Sequence, residues 1–248
     1  ANGNIQYPVV ADPNAYDVNR AFLTYVPNKN AKFNLGRQTV IIDNQRFFGN
    51  VGWRQNEQTF DALDLNYTFG NKLTLRYDYI NRVQKVFGAQ NPRPDLERWD
   101  VNLNLLHASY PVGPGALVGY AYLNENNTLP LISQKNFGLR YVAGKPNPDG
   151  IGWLATAEYA FQDKYANGAD IINADYLFLE GGLVWKGNAF KAGWEQLGGD
   201  GQYGFQTPYA TLHAFNGWAD RFLVTPKDGL QDSYLSWNRK FGKLNATL

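Results

Sequence analysis

The sequence predicts an all-β chain folded as a transmembrane antiparallel up-and-down β-barrel. Three observations carry that prediction. Apolar and polar residues alternate with period two over segments of about nine residues or more, the length that crosses a bilayer at a tilt. Short turns alternate with long polar connections along the chain. Aromatic residues make up 15% of the 248 residues while charged residues make up 18%, against about 25% charged in soluble domains. A chain so aromatic and so sparsely charged suits partial solvation by lipid.

The clearest strand pair places Leu63, Leu65, Tyr67 and Phe69 on one face and Asp64, Asn66 and Thr68 on the other. After Gly70 and Asn71, residues with hairpin-turn chemistry, the pattern restarts with Leu73, Leu75, Tyr77 and Tyr79 opposite Lys72, Thr74, Arg76 and Asp78. Val101, Leu103 and Leu105 then alternate with Asp100, Asn102 and Asn104, and a turn at 111–115 leads into Val118, Tyr120 and Tyr122. Phe137, Leu139 and Tyr141 oppose Asn136, Gly138 and Arg140, followed past 146–150 by Trp153, Ala155, Ala157, Tyr159 and Phe161. Leu177, Leu179, Leu183 and Trp185 precede a turn at Gly187 and Asn188, beyond which Phe190, Ala192 and Trp194 alternate with Lys191, Gly193 and Glu195. Weaker hairpins fall at 27–30 and around Gly242. About twelve strands in about six hairpins result.

The longer connections are 43–56, 84–98, 124–133, 162–172 and 197–231. Long loops at one end of a barrel and short turns at the other are the outer-membrane pattern. Phe69, Trp99, Tyr110, Trp153 and Trp185 fall near strand ends, where aromatic girdles form. A soluble β-sandwich is the alternative, but its strands usually run about five or six residues.

No apolar run approaches the roughly 18 residues of a transmembrane helix, and mean hydropathy is −0.44. The net charge of +1, with Lys and Arg interleaved among Asp and Glu, gives no basis for nucleic-acid binding. With 0 Cys there is neither a disulfide framework nor a thiolate metal site. With 0 Met and no apolar leader after Ala1, the chain is expected to be a mature protein or a piece of one.

Two segments carry a resemblance. Residues 35–62 read LGRQTVIIDNQRFFGNVGWRQNEQTFDA and residues 204–223 read GFQTPYATLHAFNGWADRFL. Both are similar to the alginate-export family of bacterial outer-membrane proteins, and the likeness extends loosely over the whole chain. The resemblance implies a large barrel in the bacterial outer membrane whose lumen, lined by arginines and some carboxylates, passes an anionic polyuronate. Fold transfers better than cargo on such grounds. Family members carry further strands on both sides, so residues 1–248 are expected to form one barrel domain that is incomplete at both ends.

A charge facing lipid at the bilayer midplane costs about 2–4 kcal/mol for Arg or Lys. The alternation therefore directs Lys72, Arg76, Asp78, Asp64, Asp100, Arg140, Glu158, Glu180, Lys191 and Glu195 toward a lumen. They line an aqueous channel, or else they bond one another and fill the interior. Arg37 shares parity with Phe33 and Leu35. It faces the lumen only if Gly36 marks a bulge, and otherwise snorkels at a strand end. Arg46, Arg54, Glu57 and Asp61 belong either to a salt-bridged loop folded against the wall or to a solvated one. The longest connection is too rich in Tyr203, Phe205, Tyr209, Leu212, Phe215, Trp218 and Phe222 for disorder. With Arg221, it is expected to fold onto the rim or into the lumen and narrow it. His107 and His213 are too isolated for a histidine metal site, and Ser109 near His107 has no third orienting group in sequence.

The function predicted is passage of hydrophilic, anionic saccharide-type solutes, with no enzymatic activity and no cofactor. Outer-membrane lipid and the solute are the partners, with a periplasmic or surface protein as a further one. A non-selective porin and a structural anchor whose loops bind a partner are the competing readings.

Overall fold

The computed structural model describes residues 13, 16–147, 150–216 and 220–248. Strands come in the order β1 (Ala21–Asn28), β2 (Ala31–Gln38), β3 (Thr59–Thr68), β4 (Thr74–Gln84), β5 (Arg98–Val112), β6 (Gly115–Asn126), β7 (Gln134–Lys145), β8 (Ile151–Lys164), β9 (Asn173–Trp185), β10 (Asn188–Leu197), β11 (Leu230–Phe241) and β12 (Leu244–Thr247). Each pairs antiparallel with its sequence neighbours in one 12-stranded sheet that runs from β1 to β12. β1 and β12 each keep one unpaired edge in that order. Apart from the short β12, the strands run from 8 to 15 residues, so they match a bilayer when tilted.

Hairpin chemistry fixes the short end. Lys186 and Gly187 both have positive φ, 46° and 78°, as a two-residue turn matched to strand twist requires. The turn after β3 is longer than the Gly70-Asn71 signal suggests. Phe69 N bonds Leu73 O at 2.8 Å, and Lys72 N bonds Phe69 O at 2.9 Å. Lys72 is therefore an exposed turn residue at φ 70° and not part of the inner face.

The inner face is read from buried residues in register. Asp78 on β4 pairs with Leu105 on β5, and Leu105 pairs with Tyr122 on β6; all three are buried. The outer face carries Trp153, Tyr159, Phe161, Leu179, Leu183, Trp185 and Phe190, all exposed, as the alternation predicts for β8, β9 and β10. Phe69, Tyr110, Trp153 and Trp185 sit exposed at the short-turn end, consistent with an interfacial girdle. Trp99 does not join them. Its ring packs edge-on against Tyr209 at 5.6 Å, inside the long-loop end.

β5 and β6 depart from expectation. Val101, Leu103, Leu105, Val118, Tyr120 and Tyr122 face inward and are buried. The cause is the long connections, which fold over this part of the sheet. Val40, Ile42, Phe47 and Phe48 from residues 39–58 and Phe205 and Tyr209 from residues 198–229 form one apolar core with β5 and β6, which inward residues of β3, β4 and β8–β10 extend.

Candidate functional site

The interior has two parts. At the long-loop end the two infolded connections meet over the inner face. Phe47 packs against Tyr120, Tyr122, Tyr176 and Phe205 at centroid distances of 5.4 to 5.9 Å. Phe48 stacks on Tyr209 at 5.4 Å with planes 6° apart. The backbones join as well, with Gly49 N bonded to Tyr209 O at 2.9 Å. Gln58, almost fully buried, donates to Gly49 O at 2.9 Å and Tyr209 O at 3.0 Å. An amide that bonds both loops in an apolar site is costly to remove, because two acceptors would lose their donor.

Ion pairs and hydrogen bonds fasten these loops to the wall and to each other. Arg46 reaches Glu195 on β10, Nε to Oε1 at 2.9 Å, with its guanidinium 4.6 Å from the Phe215 ring. Asn216 bonds both partners. Arg54 pairs with Asp220 at 3.2 Å, and His107 on β5 meets Asp43 at 3.1 Å. Asp43 is the third group that the sequence around His107 lacks. It engages Nε2 itself, and among the described residues Ser109 forms no hydrogen bond with His107.

The second part is open. A cavity of about 640 Å³ lies between the inner faces of β7–β11 and the loop residues Asn44, Ala214, Phe215 and Asn216. Arg140, Glu180, Lys191, Glu195, Asp232 and Tyr234 line it. Arg140 bonds Glu158 on the next strand, and Lys191 bonds Glu180 at 3.1 Å. Two tyrosines reach across glycines to complete the pairs. Tyr120 stands beside Gly138 in register and donates to Glu158 at 2.8 Å. Tyr234 stands beside Gly193 and donates to Glu180 at 2.7 Å. A Cβ on either glycine would lie 2.2 Å from the tyrosine ring, so the missing side chain is what lets each phenol span a strand.

Arg76, Asp78 and Asp64 form a third cluster on β3 and β4. Arg76 Nε lies 2.8 Å from Asp78 and 3.0 Å from Asp64, and Nη1 bonds Ile41 O at 2.8 Å in the infolded loop. Among the described inward groups, Arg46, Arg76 and Arg140 are each held against one or more carboxylates, Lys191 is held by Glu180, and Arg54 by Asp220, while Asp232 adds a further carboxylate to the cavity lining.

Sequence reasoning placed three residues differently. Lys72 lies in the turn described above. Asp100 pairs with Arg82 at 2.9 Å, half-exposed, on the face opposite Val101 and Leu103, because the inward parity of β5 is apolar. Arg37 keeps the parity of Leu35, and the β1–β2 register runs without a shift at Gly36. It bonds Asp61 at 2.7 Å and Asp17 at 3.0 Å at the long-loop end of β2, as the snorkelling alternative describes. In the longest connection Tyr203, Phe205, Tyr209 and Phe215 all pack inward, with Tyr203 donating to Gln162 at 2.6 Å and to Gln134 at 3.1 Å. Arg221 is exposed at the loop surface, and Trp218 lies outside the described residues. Sequence reasoning missed Phe47, Phe48 and Lys85, whereas Arg46 takes the salt-bridged place against the wall that one of its two readings gave it. A Phe-Phe pair within a polar connection was the available signal.

Known proteins of the same shape extend this description. No protein-family model and no curated protein matches the sequence. Solved structures do. OccD3 (OpdP) of Pseudomonas aeruginosa superposes with a TM-score of 0.63 at 16% identity over 84% of this chain and 50% of that one. OccAB4 of Acinetobacter baumannii gives 0.63 at 16% identity over 88% and 55%. The outer-membrane protein opdK of P. aeruginosa gives 0.63 at 12% identity over 85% and 56%. The fold is that of an outer-membrane porin. The chain spans about half the length of these porins. The likeness to alginate exporters therefore holds only at the coarser level of outer-membrane barrels, since the porins matched here are of the Occ and Opd type.

Proposed function

We propose that this chain forms part of a passive channel in the bacterial outer membrane, passing small hydrophilic solutes with a weak preference for cations or zwitterions. One observation carries the reading: Arg140, Glu180, Lys191, Glu195 and Asp232, among apolar neighbours, line an open cavity of about 640 Å³ beside the infolded loops. An aqueous passage needs a hydrophilic wall, and a narrow one gives fixed charges leverage over what enters. The anionic solute suggested by the arginines is less well supported. Arg76 and Arg140 are each held against carboxylates, which cancel their fields at the range of a passing ion.

A reversal-potential measurement on the full-length protein in a planar bilayer under a salt gradient tests this. The wild type should lie near zero or on the cation side. Arg76→Ser with Arg140→Ser should move it further toward cations, most at low salt, where the screening length grows from ~8 Å to ~30 Å. A clearly anion-selective wild type overturns the preference. An absence of conductance overturns the channel and favours an anchor.

A further inference from the structure

Lys85 opens the connection after β4, and its amine lies between two cavities at the long-loop end. One is an apolar cavity of about 570 Å³ lined by Leu129, Ile132, Ile172, Leu212 and Lys227 among others. The other is a polar cavity of about 320 Å³ that includes Asp17 and Glu57. Lys85 Nζ donates to Gln58 Oε1 at 2.7 Å and rests over the Trp99 ring at 3.9 Å, with the Tyr209 ring at 6.0 Å. Its immediate partners are thus a neutral amide and two aromatic rings. Lys135, Lys164 and Lys191 instead pair with Asp163, Asp170 and Glu180.

These surroundings determine the chemistry of the amine. Burial pushes the Lys85 amine down to about 7, while the Trp99 face works the other way by favouring the cation. A desolvated lysine beside an apolar pocket is an activated nucleophile. An apolar cavity with convergent polar groups and a perturbed titratable side chain is also the usual form of a small-molecule site.

We propose that the apolar cavity binds small aromatic or aliphatic aldehydes and that Lys85 captures them reversibly as imines. The neutral nitrogen attacks the carbonyl carbon and an N–H proton passes to the oxygen, giving a carbinolamine. The C–O bond then breaks, C=N forms, and one water leaves with the second N–H proton. Nothing is oxidised or reduced. The site is separate from the passage between β7 and β11 and adds a reactive ligand site to the channel.

The test uses the full-length barrel in detergent with 4-methoxybenzaldehyde and cyanoborohydride, which fixes the imine for peptide mapping. At pH 7 an amine titrating near 7 has a neutral fraction on the order of a thousand times that of an ordinary lysine. Its lower basicity offsets part of that gain. Lys85 should therefore label about tenfold faster than the exposed turn residue Lys72, with a pH profile that inflects near 7. Glyceraldehyde, which is hydrophilic and gains nothing from the apolar cavity, should show a clearly smaller advantage at Lys85 over Lys72. Lys85→Arg should abolish the fast label and keep the heat-modifiable barrel. Equal rates at Lys85 and Lys72 with the aromatic aldehyde overturn the proposal, as does an equal advantage at Lys85 with glyceraldehyde, because either result removes the cavity from the chemistry.

Discussion

The two walls of this interior, β5–β6 and β7–β10, share antiparallel pairing and outward chemistry yet differ in where they place their charges. On β5 and β6 the inner residues are Val101, Leu103, Leu105, Tyr120 and Tyr122, packed under Phe47, Phe48 and Tyr209. On β8 to β10 Ala160, Ala174, Tyr176, Phe178 and Leu197 join the same core, but β7 to β10 also carry Arg140, Glu158, Glu180, Lys191 and Glu195 inward beside an open cavity. The contrast shows what an inner face is for in each place. Where a loop docks, the wall is apolar because burying a large side chain contributes about 1.5–3 kcal/mol. Where the cavity opens, the wall carries charges held in pairs: Arg140 with Glu158 in register, Lys191 with Glu180 diagonally across two strands, and Glu195 with Arg46 of the infolded loop.

The largest effect expected from this contrast comes from placing a carboxylate on each wall. Leu105 is fully buried, so Leu105→Asp in the full-length barrel should cost more than about 4 kcal/mol. Thr156 lines the open cavity but is buried opposite Glu180, so Thr156→Asp should cost about 1–3 kcal/mol, less than Leu105→Asp, and urea titration read by heat-modifiability compares them. Similar losses would mean that the two walls do not differ in solvation.

Removing the docked loop comes next. Deleting residues 204–219 takes away Phe205 and Tyr209, so single-channel conductance of the full-length protein should rise severalfold. Arg46→Ala should raise it less and add open-channel noise, because Glu195 loses its partner across the lumen. Unchanged conductance in both would show that these loops do not narrow the passage.

Glycine substitutions give a smaller and sharper comparison between inner and outer faces. Gly138→Val meets the Tyr120 ring and should cost about 1–3 kcal/mol, with loss of the Glu158 bond. Gly119 has as its nearest neighbour Leu139 Cδ1 at 3.9 Å, so Gly119→Val should be neutral or stabilising. The reverse order in urea midpoints would contradict the tyrosine bridge.

The smallest effect is a pH dependence at the loop end. Lys85 titrates near 7 when folded and near its ordinary 10.5 when unfolded. Between these values the unfolded loop binds more protons, so folding is favoured as pH rises through 7 toward 10 and disfavoured below 7. Limited proteolysis within residues 85–97 should slow between pH 6 and pH 9 in the wild type, and the trend should vanish in Lys85→Met.

The sequence by itself determined the strands, their number and their order, because a period-two pattern and turn chemistry are local properties that survive without tertiary context. It also determined the outward face of β8 to β10, where Trp153, Tyr159, Leu179 and Phe190 alternate with polar residues as lipid and water require. Only the tertiary structure decided what lay inward on β5 and β6. Val101 and Leu103 read as lipid-facing because alternation separates two faces without saying which solvent each one meets. The deciding groups, Phe47, Phe48, Phe205 and Tyr209, come from distant connections and contribute an apolar environment that no strand-level pattern contains. The same limit applies to the charges. Arg140 and Glu158 are 18 residues apart, and Arg46 and Glu195 are 149 apart. Whether an arginine is a free field or half of a pair depends on register and loop path, and both are properties of the folded sheet.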